Sequence, residues 1–195
     1  MAATASAYGL KPVKLIGDRP WSNSLQRYKI ASAYATNIFA GDVVKLIADG
    51  TIEKDTGTST ATPIGVFMGV HFTDPTNKWP TFKRQWTAST VATDAVAYVA
   101  ADPDLVFEIQ AAGAIAAADL WGNIALVQGA GSTTTGNSGV TAGSSVAATA
   151  TLPLRVVGFV DRPGSAVGDA YTDIFVIWNR DATTHQLRDP DGLTT

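Results

Sequence analysis

The chain has 195 residues, a mass of 20.3 kDa, a formal charge of −3 and no cysteine. That length suits one domain or two small ones, and a chain of this size buries about 70% of its extended surface, so a core forms without covalent staples. The missing cysteine excludes disulfides, thiolate metal sites and cysteine nucleophiles, and 14 Lys+Arg against 17 Asp+Glu argues against a basic nucleic-acid binder.

Charged residues make up 16% of the chain, against about a quarter in ordinary globular domains. The place of the missing charges is taken by 31 Ala, 24 Thr and 18 Gly. Thr and Ser supply neutral polar cover. The other explanation is an outer surface buried against further subunits, where charged residues are depleted.

Taken in chain order, residues 1–10 have neither a basic leader nor an apolar core of signal-peptide length. No stretch approaches the ~20 apolar residues of a membrane span, so the expectation is a soluble chain made in a cytoplasm, with no membrane partner. Residues 1–24 read as an N-terminal arm. In Tyr8-Gly-Leu-Lys-Pro-Val-Lys-Leu-Ile16, Pro12 demotes the run to an edge strand or an extended segment. Whether it lies on a neighbouring subunit or forms an ordinary first strand stays open at this level.

Gly41-Asp-Val-Val-Lys-Leu-Ile47, Asp49-Gly50 and Thr51-Ile-Glu-Lys54 predict a hairpin, because Asp-Gly between two apolar runs favours the tight turn that matches strand twist. Pro63-Ile-Gly-Val-Phe-Met-Gly-Val-His-Phe72 predicts a long strand, with Gly65 and Gly69 marking bends or bulges. Further strands are expected at Thr81-Phe-Lys-Arg-Gln-Trp86, Ala95-Val-Ala-Tyr-Val99 and Leu105-Val-Phe-Glu-Ile-Gln110, the last two parted by Asp102-Pro103-Asp104. Ile115-Ala-Ala-Ala-Asp-Leu-Trp-Gly122 predicts one short helix ending at glycine. Residues 129–150 carry no charge and no aromatic, and read as a long loop or weak strands ordered against a partner. Strands resume at Leu154-Arg-Val-Val-Gly-Phe-Val160 and Tyr171-Thr-Asp-Ile-Phe-Val-Ile-Trp178, and a polar tail covers 181–195. Eight to ten short strands with turns between them predict a mainly β, single-domain barrel or sandwich over 25–180.

The chemical inventory is thin. The two histidines, His71 and His185, have no G-x-S-x-G elbow beside any serine. Glu53 and Glu108 are the only glutamates, and strand alternation turns both toward solvent, which leaves a two-carboxylate hydrolase as a third-ranked reading. Asp74-Pro75, Asp102-Pro-Asp104 and Asp189-Pro-Asp-Gly192 are explained by turn chemistry, and none fits a calcium loop. No phosphate-cradling glycine loop occurs. Lys83-Arg84 between Phe82 and Trp86 reads as a solvent-facing edge rather than a single-strand nucleic-acid groove. No catalytic residue, cofactor or metal is expected. Trp21, Trp79 and Trp86 sit in or beside turns. They are candidate surface aromatics, either sealing subunit contacts or stacking on sugars as a carbohydrate- or receptor-binding module.

The block Asn37-Ile-Phe-Ala-Gly-Asp-Val-Val-Lys-Leu46, followed by Asp49-Gly-Thr-Ile52 and Pro63-Ile-Gly-Val66, resembles head decoration (capsid cement) proteins of tailed bacteriophages. So do Leu105-Val-Phe-Glu-Ile-Gln110 and Asp119-Leu-Trp-Gly122. Thr151-Leu-Pro-Leu-Arg-Val-Val-Gly158, Gly168-Asp169 and Val176-Ile-Trp-Asn179 look like structural proteins of marine phages. The resemblance spans residues 25–180, in a chain longer than the smallest members. It implies a virion protein without enzymatic activity, made in the host cytoplasm. Its expected partners are the major capsid protein and its own copies, as a homotrimer seated on the outside of the expanded head. Tyr8, Leu10, Val13, Leu15 and Ile16 of the arm are the expected capsid or subunit contacts.

Overall fold

The structure, a computed structural model, describes residues 4–179. His185, Asp189-Pro-Asp-Gly192 and the tail at 181–195 lie outside the described residues. The described chain is mainly β, and its strands form two large antiparallel sheets and a small pair rather than a closed barrel.

The first sheet has seven strands. Its centre is β11 (Leu105–Gln110) against β15 (Asp173–Trp178), with β14 (Leu154–Phe159), β12 (Asn123–Val127) and β13 (Thr141–Ala147) on one side. On the other side lie β1 (Lys11–Leu15) and the two-residue β2 (Arg19–Pro20). Strand alternation sends Leu105, Phe107 and Ile109 of β11 and Ile174, Val176 and Trp178 of β15 to the same face, where all six are in the first core. Phe107 and Trp178 meet edge to face with centroids 5.1 Å apart, the geometry that aromatic quadrupoles favour.

The second sheet runs β3 (Gln26–Lys29), β10 (Val96–Ala100), β7 (Gly65–Thr73), β5 (Val43–Leu46) and β6 (Ile52–Lys54). β8 (Pro80–Lys83) also pairs with β7, along Val70–Thr73. β4 (Ile38–Phe39) and β9 (Gln85–Trp86) form the small pair. Val43, Val66 and Ala100 of the second sheet join the first core. Phe67, Val70, Phe72, Ala97 and Val99 face a second core, closed by Ile38 and Trp86 of the small pair. Phe67 and Val70 share a face although they are three residues apart. Tyr98 pairs with Gly69 and Val99 with Phe67, so Met68 is the additional residue of a bulge, and the bulge restores the parity.

The β5–β6 hairpin forms as the Asp49-Gly50 turn predicts: Val44, Lys45 and Leu46 pair with Lys54, Glu53 and Ile52, Gly50 has φ +80°, and the Asp49 carboxylate accepts from the Thr51 amide and hydroxyl. Two other expectations change, and the N-terminal run, left open between an arm and a first strand, takes a place in a sheet. The helix over 115–122 is a single 3-10 turn at Ala117–Asp119. Eight residues are too few to hold a helix alone, and here the Ile115 amide donates to Thr172 Oγ1 and the Trp121 amide to the Val156 carbonyl, which draws both ends onto the sheet. The N-terminal run is not an arm held off the body. β1 pairs with β11 from Lys11 to Leu15, and β2 reaches only Lys14 and Leu15, so Pro12 lacks its N–H where the strand is an edge. Residues 129–150 are ordered by their own chain. β13 pairs with β12, the Ala40 amide donates to the Gly136 carbonyl, the Ser138 amide donates to the Ala40 carbonyl, and Ser138 Oγ donates to the Asp42 carboxylate at 2.6 Å.

Candidate functional site

The most densely bonded polar group lies on the outer face of the first sheet. β11 alternation that sends Phe107 inward turns Glu108 and Gln110 outward, and the β11–β15 register sets Asp173 opposite Gln110. Glu108 and Asp173 are nonetheless buried, at 6% and 5% exposure. This corrects the solvent-facing reading of Glu108: the turn after β14 brings Arg162 over both carboxylates, and the segment before β1 lays Tyr8 across them. Arg162 Nη1 donates to Glu108 Oε1 and Nη2 to Asp173 Oδ2, each at 2.7 Å. The Tyr8 hydroxyl lies 3.1 Å from Glu108 Oε1 and 3.0 Å from Asp173 Oδ1. Gln110 continues the grip, accepting from the Ser6 amide at 2.7 Å and donating to the Thr4 carbonyl at 3.2 Å.

The electrostatics follow from this packing. Burial, and then the two carboxylates, push the Tyr8 phenol well above its ordinary value, because a phenolate there would face like charge. Burial opposes the Arg162 charge, but its bonds to Glu108 and Asp173 outweigh that and hold the guanidinium above its usual range. Both carboxylates are thus engaged by a cation and a phenol. The arrangement fastens residues 4–8 to the sheet.

Of the five expected contact residues in the arm, Leu10 is 1% exposed and belongs to the first core, so it is not a surface contact. Tyr8 is half-buried in the cluster just described, and Leu15 packs on the first core. Ile16 is half-buried, with its amide on the Asp104 carbonyl. Val13, at the bulge in β1, is 39% exposed.

The three indoles separate. Trp86 is fully buried, edge-on to Phe72 at 5.8 Å, with Nε1 donating to the Tyr34 carbonyl, so it is a core residue and not a surface contact. The β4–β9 pairing turns its side chain into the second core. Trp21 is half-buried against the first core. Trp79 is 74% exposed at the turn between β7 and β8. Two further exposed rings have no counterpart among the sequence candidates. Phe82, 59% exposed, stands on β8 beside Tyr98, with centroids 6.0 Å apart. Trp121, 63% exposed, was assigned by its composition to a helix; it sits instead in the left-handed region at φ +68°. Alternation with polar Thr81 and Lys83 would turn Phe82 inward, so no local signal points to its exposure.

Aspartates at the turns cap their own backbone: Asp74 accepts from the Thr76 and Asn77 amides, and Asp102 from the Asp104 amide. Those bonds hold the Asp74 carboxyl below its ordinary range. Among the described residues, no group of three or more His, Asp or Glu is placed to hold a metal ion, and no helix is long and apolar enough to cross a membrane. Comparison of the chain with family models, with characterised proteins and with solved structures gives no match.

Proposed function

We propose that this chain is a structural virion protein that seats on the outer surface of a phage capsid, as a homotrimer, and stabilises the expanded head. The supporting observation is the exposure of Trp79, Phe82 and Trp121 on a chain with only 16% charged residues. Large aromatics left in water on a weakly charged surface favour a covering partner. Each contact contributes roughly 25 cal/mol per Å² of apolar area before the cost of association, and repetition over a lattice makes modest contacts sufficient. The sequence resemblance points the same way.

Deleting residues 2–16 is a poor test, because it removes β1 from the first sheet and Leu10 from the core. The test is density-gradient sedimentation of expanded phage heads mixed with the intact chain or with a Trp79→Ser, Trp121→Ser variant. The intact chain is expected to band with the heads, the variant to remain at the top. Intact protein that never bands with heads would overturn the reading. Of the three candidate indoles, only Trp79 is largely exposed for a glycan-binding module. A glycan array bound by the intact chain and lost with Trp79→Ser would favour that reading instead.

A further inference from the structure

A cavity of about 440 Å³ opens beside the Tyr8 cluster, at the low end of small-ligand sites. Leu10 and Met68 give it apolar wall. Lys11, Arg84 and Arg162 give it three cations, against one carboxylate, Glu108. That carboxylate is already taken by Arg162 at 2.7 Å and by the Tyr8 hydroxyl. Lys11 stands directly opposite Glu108 in the β1–β11 register, yet the ion pair of Glu108 goes to Arg162. Among the described residues, Lys11 is left without a carboxylate, and the side chain of Arg84, at the junction of β8 and β9, makes neither an ion pair nor a hydrogen bond. Two cations with no described partner therefore border one concave site on a chain whose net charge is −3.

We propose that this cavity binds a carboxylate carried on an apolar body. Cations that line one concave site beside apolar side chains focus an attractive field on an anion. The planar guanidinium of Arg84 matches a carboxylate through two parallel N–H bonds, and Lys11 adds a point charge. Leu10 and Met68 receive the apolar part. Inorganic phosphate has no apolar part to place against Leu10 and Met68, so the site favours a carboxylate on an apolar body over phosphate. The site is independent of the virion reading and needs no capsid to be tested.

The experiment is an NMR titration of the full chain with benzoate, with its neutral isostere benzamide and with inorganic phosphate. Benzoate is expected to give saturable shifts at the amides of Lys11, Met68 and Arg84, with benzamide and phosphate at least about tenfold weaker. Arg84→Gln and Lys11→Gln are each expected to weaken benzoate about tenfold, with the unfolding temperature of both exposed-site variants unchanged. The proposal fails if ~10 mM benzoate produces no saturable shift, if benzamide binds equally well, or if neither substitution weakens binding. Tighter binding of phosphate than benzoate would overturn the carboxylate assignment.

Discussion

Arg162 is the residue on which the outer face of the first sheet depends. It is itself partly exposed, but the two carboxylates it joins have only 8% and 7% of their side-chain surface open. Replacing it with Leu leaves two buried negative charges without a cation, the situation in which losing one partner costs about 3–5 kcal/mol. Urea denaturation at neutral pH is expected to show a loss of that order. Tyr8 makes a prediction of opposite character. Its phenol is held protonated above the ordinary range in the folded chain, so the sign is that of a raised pKa. The stability is fully present below the unfolded value of about 10 and declines above it, where the unfolded chain releases a proton that the folded chain keeps. The slope for one such proton is about −1.4 kcal/mol per pH unit. Tyr8→Phe is expected to remove that much of the slope in urea midpoints measured between pH 10 and 12, and unchanged alkaline behaviour would refute the burial argument.

At the scale of elements, glycine and one buried aspartate decide how the sheets close. A Cβ on Gly65 would lie 2.4 Å from the Ala100 carbonyl oxygen, a backbone atom that cannot step aside without separating β7 from β10. Gly65→Ala is expected to cost about 1–3 kcal/mol, read as a lower midpoint in thermal unfolding. Asp42 is fully buried and accepts from Ser138 Oγ at 2.6 Å, from the Phe39 amide at 2.9 Å and from Lys54 at 3.0 Å. Ser138→Ala removes the bond that ties the uncharged segment to the β4–β5 corner. A loss of about 1.5–3 kcal/mol is expected, with faster proteolysis within 129–139. Most strands were legible because period-two alternation and turn residues are local signals: β5, β6, β7, β11, β14 and β15 follow from Asp-Gly, Pro63 and the β-branched runs. The contacts of Ser138 with Asp42 and of Arg162 with Glu108 were not legible, because those pairs lie 96 and 54 residues apart along the chain and spacing does not encode such a meeting. The 115–122 run misled for a related reason. Its alanines favour a helix locally, while Thr172 and Val156 claim its end amides from distant strands.

For the molecule as a whole, the question is whether an exposed ring belongs to the fold or to what the fold meets. Two rings of one hairpin separate the cases. The Trp79 side chain is 74% exposed, and the hydrogen bonds at this residue are made by its carbonyl, which accepts from the Asp74 amide and the Thr81 hydroxyl. A serine keeps those backbone bonds. Phe82, though 59% exposed, lies over Gly69, where a Cβ would come within 2.5 Å of its Cζ, and tilts against Tyr98. Its ring covers a strand glycine that has no side chain of its own to pack. Phe82→Ser is therefore expected to destabilise the chain by about 1 kcal/mol, and Trp79→Ser to stay within about 0.5 kcal/mol of the parent. If the surface exists to be covered by a neighbour, both substitutions weaken association, while only the first lowers the unfolding midpoint. Sedimentation and denaturation on the same two proteins make that comparison. A Trp79→Ser variant that loses stability without losing association would place that ring in the fold's own service and remove it from the proposed contact surface.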